Sequence, residues 1–116
     1  LGAIERAGFA LHGLRMVRLS PEVVQGFYAE HLHKGFYPEL EAFMTEGPVV
    51  LMVLEAEDAI QRWRDLMGAT DPAKAAEGTL RRQFGEDVGR NAVHGSDAPA
   101  TAEREIHYFF SAFDLI

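Results

Sequence analysis

The chain has 116 residues, no cysteine and a formal net charge of −7. That length suits one domain spanning residues 1–116, and the lack of cysteine excludes disulfides, thiolate metal sites and cysteine nucleophiles. The acidic balance makes nucleic acid an unfavourable partner, although a few converging arginines can still hold a small phosphate ligand. No apolar run approaches the roughly 20 residues that cross a bilayer, so no membrane partner is expected. The opening residues Leu1 to Gly8 read as the tail of a helix closed by Gly8 just past its end. Because the chain starts mid-helix, further residues upstream are expected.

Phe9 to Leu19 alternate loosely between apolar and polar, which predicts a strand. Ser20-Pro21-Glu22 is a helix start: a capping hydroxyl, a proline in the first turn and an acid near the positive end. Val23, Val24, Phe27 and Tyr28 mark one side of that helix. Pro38 opens a second helix carrying Leu40, Phe43 and Met44. Pro48 to Glu55 is the clearest strand, and its unbroken apolar run predicts cover on both faces. Ile60, Trp63 and Met67 form the apolar stripe of a helix over residues 56–67, with Gly68 at its end. Residues 69–95 are largely irregular, with Gly78, Gly85, Gly89 and Gly95; Thr70-Asp71-Pro72 and Gly78-Thr79 each open a helical turn. Ala92-Val93-His94 reads as a short strand. Ala102, Ile106, Phe109, Phe110 and Phe113 define an amphipathic last helix. Mixed strands and helices around a small sheet predict an α+β sandwich.

The chemistry concentrates between Arg64 and Glu105. Arginine forks suit phosphate oxygens, and Arg64 and Arg81 flank neutral donors in Thr70 and Asn91. His94 sits among small residues, and an uncharged imidazole is a competent nucleophile. Such a ring needs its second nitrogen held, a task within reach of Glu105 directly or through a neighbour. Read alone, a histidine between Val93 and Gly95 is more often a packed or surface residue than a nucleophile, and such arginines more often form a solvated face. His31 and His33 are spaced wrongly for a shared metal, and His12 and His107 read as structural or surface residues. Phe36 beside Tyr37 is an aromatic at a loop mouth, suited to stacking on a nucleobase or to the core. No Gly-x-x-x-x-Gly-Lys-Ser/Thr or Gly-x-Gly-x-x-Gly motif occurs.

Four ordered segments carry a resemblance. Asn91-Ala92-Val93-His94-Gly95-Ser96-Asp97 is similar to the sequence around the phosphorylated histidine of nucleoside diphosphate kinases. Phe43 to Val50, Arg64 to Pro72, and Gly78-Thr79-Leu80-Arg81 resemble further motifs of that family at the family's spacing. The resemblance implies a ferredoxin-like α+β sandwich with a four-stranded antiparallel sheet. It also implies transfer of the γ-phosphate of a nucleoside triphosphate such as ATP to a nucleoside diphosphate through phospho-His94, in ping-pong fashion. By the same resemblance, Arg64, Thr70 and Arg81 bind phosphates, Asn91 contacts the sugar, and Phe36 stacks on the base with Leu40 nearby. Tyr28 lies beside His94, while Ser96 and Glu105 support the site, Glu105 by orienting the His94 ring. Mg²⁺ arrives on the nucleotide, with Asp97 at most an indirect ligand. A cytoplasmic homo-oligomer, tetramer or hexamer, is implied.

Two departures are visible. The family's first strand and its Lys-Pro-Asp are absent from these residues, and the implied place of that strand is inside the sheet. We expect the strand and lysine upstream of Leu1. A member truly lacking them would be a catalytically impaired nucleotide-binding or scaffold protein. Lys34-Gly35-Phe36-Tyr37 stands where the family has Arg-Pro-Phe-Phe; Phe36 is retained.

Overall fold

The computed structural model describes residues 1–88 and 90–116; Gly89, one of the glycines of the long irregular segment, lies outside them. Helix α1 (Gly2–Arg6) ends through Ala7 into Gly8, whose φ of +88° lets its N–H turn back to the Glu5 carbonyl at 3.0 Å. This is the closure read from the sequence, and glycine adopts that backbone without a Cβ penalty.

Strand β1 (Ala10–Val17) pairs antiparallel with β2 (Val49–Glu55), from Val17 opposite Val49 to Ala10 opposite Glu55. The register shifts between Leu11 and Gly13, as a bulge at His12 requires. The His12 ring is tied at Nδ1 to the Ile116 carbonyl (2.5 Å) and at Nε2 to Glu55 (2.9 Å), consistent with a structural role. Gly13 leaves room for the residues after the last helix. A Cβ there would lie 3.0 Å from the Phe110 ring and 3.1 Å from Leu115.

Helix α2 (Pro21–Phe27) starts as its sequence dictates: Ser20 Oγ accepts from the Val23 N–H at 3.3 Å, and Pro21 occupies the first turn. A 3₁₀ turn, Ala29–His31, leads to α3 (Tyr37–Met44). Val24, 1% exposed, centres a core with Leu19, Tyr37 and Leu40, against which Val17, Tyr28, Met44, Val49 and Phe109 pack. Burial of these apolar side chains contributes about 1.5–3 kcal/mol each.

Helix α4 (Ala59–Met67) follows Asp58, which holds a left-handed backbone (φ 53°), and stops at Gly68 (φ +86°). Asp71 caps the 3₁₀ turn Pro72–Lys74 through the Ala73 N–H at 3.0 Å, and Thr79 precedes α5 (Leu80–Phe84). Helix α6 (Pro99–Phe109) opens with Thr101 Oγ1 accepting from the Ala98 N–H at 3.0 Å.

Three expectations change. The last helix stops at Phe109: Phe110 is extended and buried against Gly13, and Phe113 falls outside the helix and is 100% exposed. Ala92-Val93-His94 is not a strand, because the Val93 N–H closes a three-residue turn on the Asn91 carbonyl (2.9 Å) with Ala92 at φ +75°. The β2 strand is half-buried and not covered throughout, since a cavity of about 840 Å³ borders Val49 to Leu54. Among the described residues the sheet has two strands, β1 and β2.

Candidate active site

The Asn91–Asp97 loop crosses between α4, α5 and α6, and each of these helices holds it at a different atom. From α5, Arg81 donates through Nη2 to the Val93 carbonyl (3.0 Å) and through Nη1 to the Gly68 carbonyl (3.2 Å). From α4, Trp63 Nε1 donates to the His94 carbonyl at 3.2 Å. From α6, Glu105 Oε1 accepts from Ser96 Oγ at 2.5 Å. Asn91 is 2% exposed and donates from Nδ2 to the Thr70 carbonyl at 3.2 Å, which joins the loop's start to the turn after α4.

These ties matter because the loop is strained. A positive-φ γ-turn at a residue with a Cβ is rare, and backbone in such regions costs on the order of 1–3 kcal/mol unless its surroundings fix it. Ala92 occupies that conformation two residues before His94. The donors from Arg81 and Trp63 meet the two carbonyls that follow it.

His94, Ser96, Glu105 and Tyr28 line the larger cavity, and Arg64, Thr70, Arg81 and Asp97 line a smaller one of about 310 Å³. The two meet at Gly95 and Ser96, which line both. The structure thus gathers eight of the residues singled out in the sequence around one loop, with Asn91 beneath them. Leu40 is instead part of the apolar core, and Phe36 lies apart, 54% exposed on the approach to α3 beside Lys34 and His31. Glu105 reaches the loop through a neighbour of His94: its hydrogen bond goes to Ser96 and not to the His94 ring.

The electrostatics favour an uncharged His94. Burial first, and then the Arg81 guanidinium, lower the imidazole from 6.5 to about 4. One part of the residue remains open to solvent, and water there stabilises some of the cation. The direction is what counts for chemistry: the ring is neutral at pH 7, with a lone pair available. Tyr28 is pushed up to about 12 by burial and by the charge of Glu105, so its hydroxyl keeps its proton. Desolvation lowers Arg81, yet a guanidinium remains charged at any physiological pH.

A pH dependence follows. Reactivity at His94 should stay level as pH falls from 8 through 6.5 and decline only on approach to 4. The same depression means that the unfolded chain binds a proton there more readily. Its contribution to stability is therefore complete above 6.5 and is lost as pH drops toward 4. Modification of His94 by diethyl pyrocarbonate against pH reads the titration directly; a midpoint at or above 6.5 would contradict the assignment.

Trp63 and Gly95 are the parts of the site that the sequence did not single out. Trp63 reads as one member of the α4 stripe, and only the fold brings its indole to a carbonyl 31 residues away.

The family model for nucleoside diphosphate kinase matches residues 1–115. The chain belongs to the nucleoside diphosphate kinase family. It is 54% identical to the nucleoside diphosphate kinase of Syntrophotalea carbinolica over all 116 residues, which cover 85% of that protein. It is 50% identical to that of Sorangium cellulosum over 112 residues, covering 97% of this chain and 78% of that one. Among solved structures, the Aquifex aeolicus nucleoside diphosphate kinase superposes with a TM-score of 0.93 at 44% identity, covering 100% of this chain and 87% of that chain. The enzyme of Halobacterium salinarum in complex with CDP gives 0.92 at 39% identity, covering 99% and 77%. The fold is the α+β, ferredoxin-like architecture of that family, and the activity is that of a nucleoside diphosphate kinase, a phosphotransferase that binds nucleotides. No helix among the described residues is long and apolar enough to cross a membrane.

Proposed function

We propose that this chain, as one domain, transfers the γ-phosphate of ATP or another nucleoside triphosphate to a nucleoside diphosphate through phospho-His94. The observation that carries this reading is the neutral His94 on a loop pinned by Arg81, beside a pocket lined by Arg64, Thr70 and Arg81. In the first half-reaction an unprotonated ring nitrogen attacks the γ-phosphorus. The new N–P bond forms as the bridging P–O bond breaks, and the nucleoside diphosphate leaves with that oxygen. In the second, a terminal β-phosphate oxygen of the acceptor takes the phosphoryl group, and His94 returns to its neutral form. Phosphoryl transfer asks mainly for alignment and charge neutralisation, which rigid arginines supply.

The roles divide as follows. Arg64, Arg81 and Thr70 bind phosphate oxygens. Of the buried polar atoms that lack a hydrogen-bond partner among the described residues, two lie at this site, Arg81 Nε and Asn91 Oδ1. A bound nucleotide would satisfy such groups, Arg81 as donor and Asn91 as acceptor for a sugar hydroxyl, and the donor set therefore suits it. Ser96 and Glu105 hold the loop on the far side of His94, and Tyr28 keeps a protonated hydroxyl in the same cavity. Phe36 is exposed and free to stack on a base, and Leu40, four residues on, anchors the same helix in the core. Stacking tolerates any base, because every base has a π-face.

Mg²⁺ belongs with the nucleotide phosphates, where it neutralises their charge. Among the described residues no group of three or more His, Asp or Glu side chains is placed to hold a metal ion. Asp97 lines the pocket with its Oδ1 engaged by Thr101 (2.9 Å), a placement that suits contact through water. The CDP complex of the Halobacterium salinarum relative supports a nucleotide as the ligand. We place the enzyme in the cytoplasm as a homo-oligomer, a tetramer or hexamer.

Incubation with γ-labelled ATP tests the proposal. The expected product is protein-bound label that survives alkali and is lost in acid, the behaviour of a phosphoramidate. Its discharge by added diphosphate should yield labelled triphosphate. A folded protein that takes no label would instead fit the impaired, scaffold reading.

A further inference from the structure

The loop that carries His94 rests on an indole. Trp63 lies on α4 with its Nε1 donating to the His94 carbonyl at 3.2 Å. The next residue fits against the same ring: a Cβ built on Gly95 would fall 2.2 Å from both Cδ1 and Nε1 of Trp63. No side chain tolerates that separation, so the His94–Gly95 peptide sits directly on the edge of the indole. The indole is itself fixed. Phe9 meets it edge-on with ring centroids 6.1 Å apart and planes at 83°, and Phe9 is buried. Met67, one turn further along α4, closes on the same point, its Cε 3.5 Å from the Cβ position of Gly95.

This support bears on the strained turn. Ala92 stores backbone strain just before the nucleophile, and a relaxed loop would move the His94 ring. Arg81 fixes the Val93 carbonyl and Trp63 fixes the next one. Arg81 is also placed to engage phosphate, so its grip on the loop changes with the ligand; Trp63 lines the cavity behind His94, outside the Arg81–Arg64 pocket. We propose that Trp63 is a positioning residue for phosphoryl transfer: its indole N–H holds the His94 carbonyl and its ring edge seats Gly95, which keeps the nucleophile aligned whether or not nucleotide is bound. The inference rests on His94 as the phosphate carrier.

Trp63→Phe tests it, because phenylalanine keeps the packing against Phe9 and removes the donor. The expected result at saturating ATP is a roughly tenfold slower single-turnover phosphorylation, as a misplaced nucleophile gives. KM should stay within about twofold and the Tm within a few degrees. Gly95→Ala attacks the same contact from the loop side, since its Cβ must displace the indole, and should give the same split between kcat and KM. Unchanged phosphorylation in Trp63→Phe would overturn the proposal. So would a loss confined to Tm, or one that raises KM and leaves the rate at saturation intact, since a purely structural residue behaves in those ways. Wild-type protein run alongside separates the two claims: an unlabelled wild type overturns the phosphohistidine reading and this one with it, whereas a labelled wild type beside an equally fast Trp63→Phe overturns only the role of Trp63.

Discussion

Alanine in place of His94 should abolish turnover, by a factor of about 10⁴ or more, while leaving the protein folded and able to bind nucleotide. Removing a covalent nucleophile has effects of that size, because no other group then accepts the phosphoryl group. The structure also predicts that the loss is confined to chemistry. Among the described residues no side chain hydrogen-bonds to the His94 ring, and part of the residue is open to solvent, so its truncation should alter stability by no more than about 0.5 kcal/mol. The loop keeps its ties at Val93, at the His94 carbonyl and at Ser96, all of them independent of the imidazole. Arg64, Thr70 and Arg81, the proposed phosphate ligands, still line their pocket. A coupled turnover assay and calorimetric titration with ADP measure the two properties separately. Turnover within tenfold of wild type would remove His94 from its role.

The second large effect is expected at Arg81. Arg81 and Arg82 are neighbours in sequence with opposite surroundings. Arg81 is 8% exposed and reaches two backbone carbonyls; Arg82 is exposed and reaches one, that of Ala73 at 3.0 Å. Arg81→Ala should lower kcat/KM about a hundredfold, the upper range for a lost charge-assisted contact to phosphate of about 1.5–3 kcal/mol. It should also reduce stability, because the Gly68 and Val93 carbonyls lose their donor, at about 1–3 kcal/mol for a polar group left unsatisfied. A third consequence distinguishes this residue from a simple phosphate ligand. Arg81 is one of the two causes that depress His94, so its removal should move the acid limb of the pH–rate profile upward toward 6.5. Arg82→Ala should change each quantity little. Equal losses in the two variants would refute the assignment of the pocket.

Much of this was legible in the residues because the signals are local. Ser20-Pro21 and Asp71-Pro72 start their helical turns through a side-chain oxygen two or three residues from the N–H it meets, and Gly8 and Gly68 end theirs through a backbone that only glycine adopts freely. Strands β1 and β2 appear where the apolar patterns put them. The motif around His94 and the arginines before it mark the candidate site, although the contacts within it were only partly visible. Glu105 was expected to act on the His94 ring directly or through a neighbour, and it is found hydrogen-bonded to Ser96. Leu40, expected near Phe36, bonds through its N–H to the Phe36 carbonyl while its side chain joins the core.

The family, the caps, the strands and the set of candidate groups follow from the order of the residues, since each depends on neighbours along the chain or on a motif conveyed whole. How that set is arranged depends on contacts that exist only in the folded chain. Nothing in Ala92-Val93-His94 distinguishes a strand from a strained turn until Asn91 is buried against Thr70 and Arg81 reaches Val93. The pattern of the last helix continues to Phe113, yet the chain leaves the helix at Phe109 because burying Phe110 against Gly13 of β1 outweighs another half-turn of helix. The neutrality of His94 likewise comes from burial and from a guanidinium that the fold brings to it. Hydrogen bonds and desolvation act between atoms within a few ångströms, whatever their separation along the chain, and for His94 the deciding contacts come from Trp63 and Arg81, 31 residues away and on a different helix respectively.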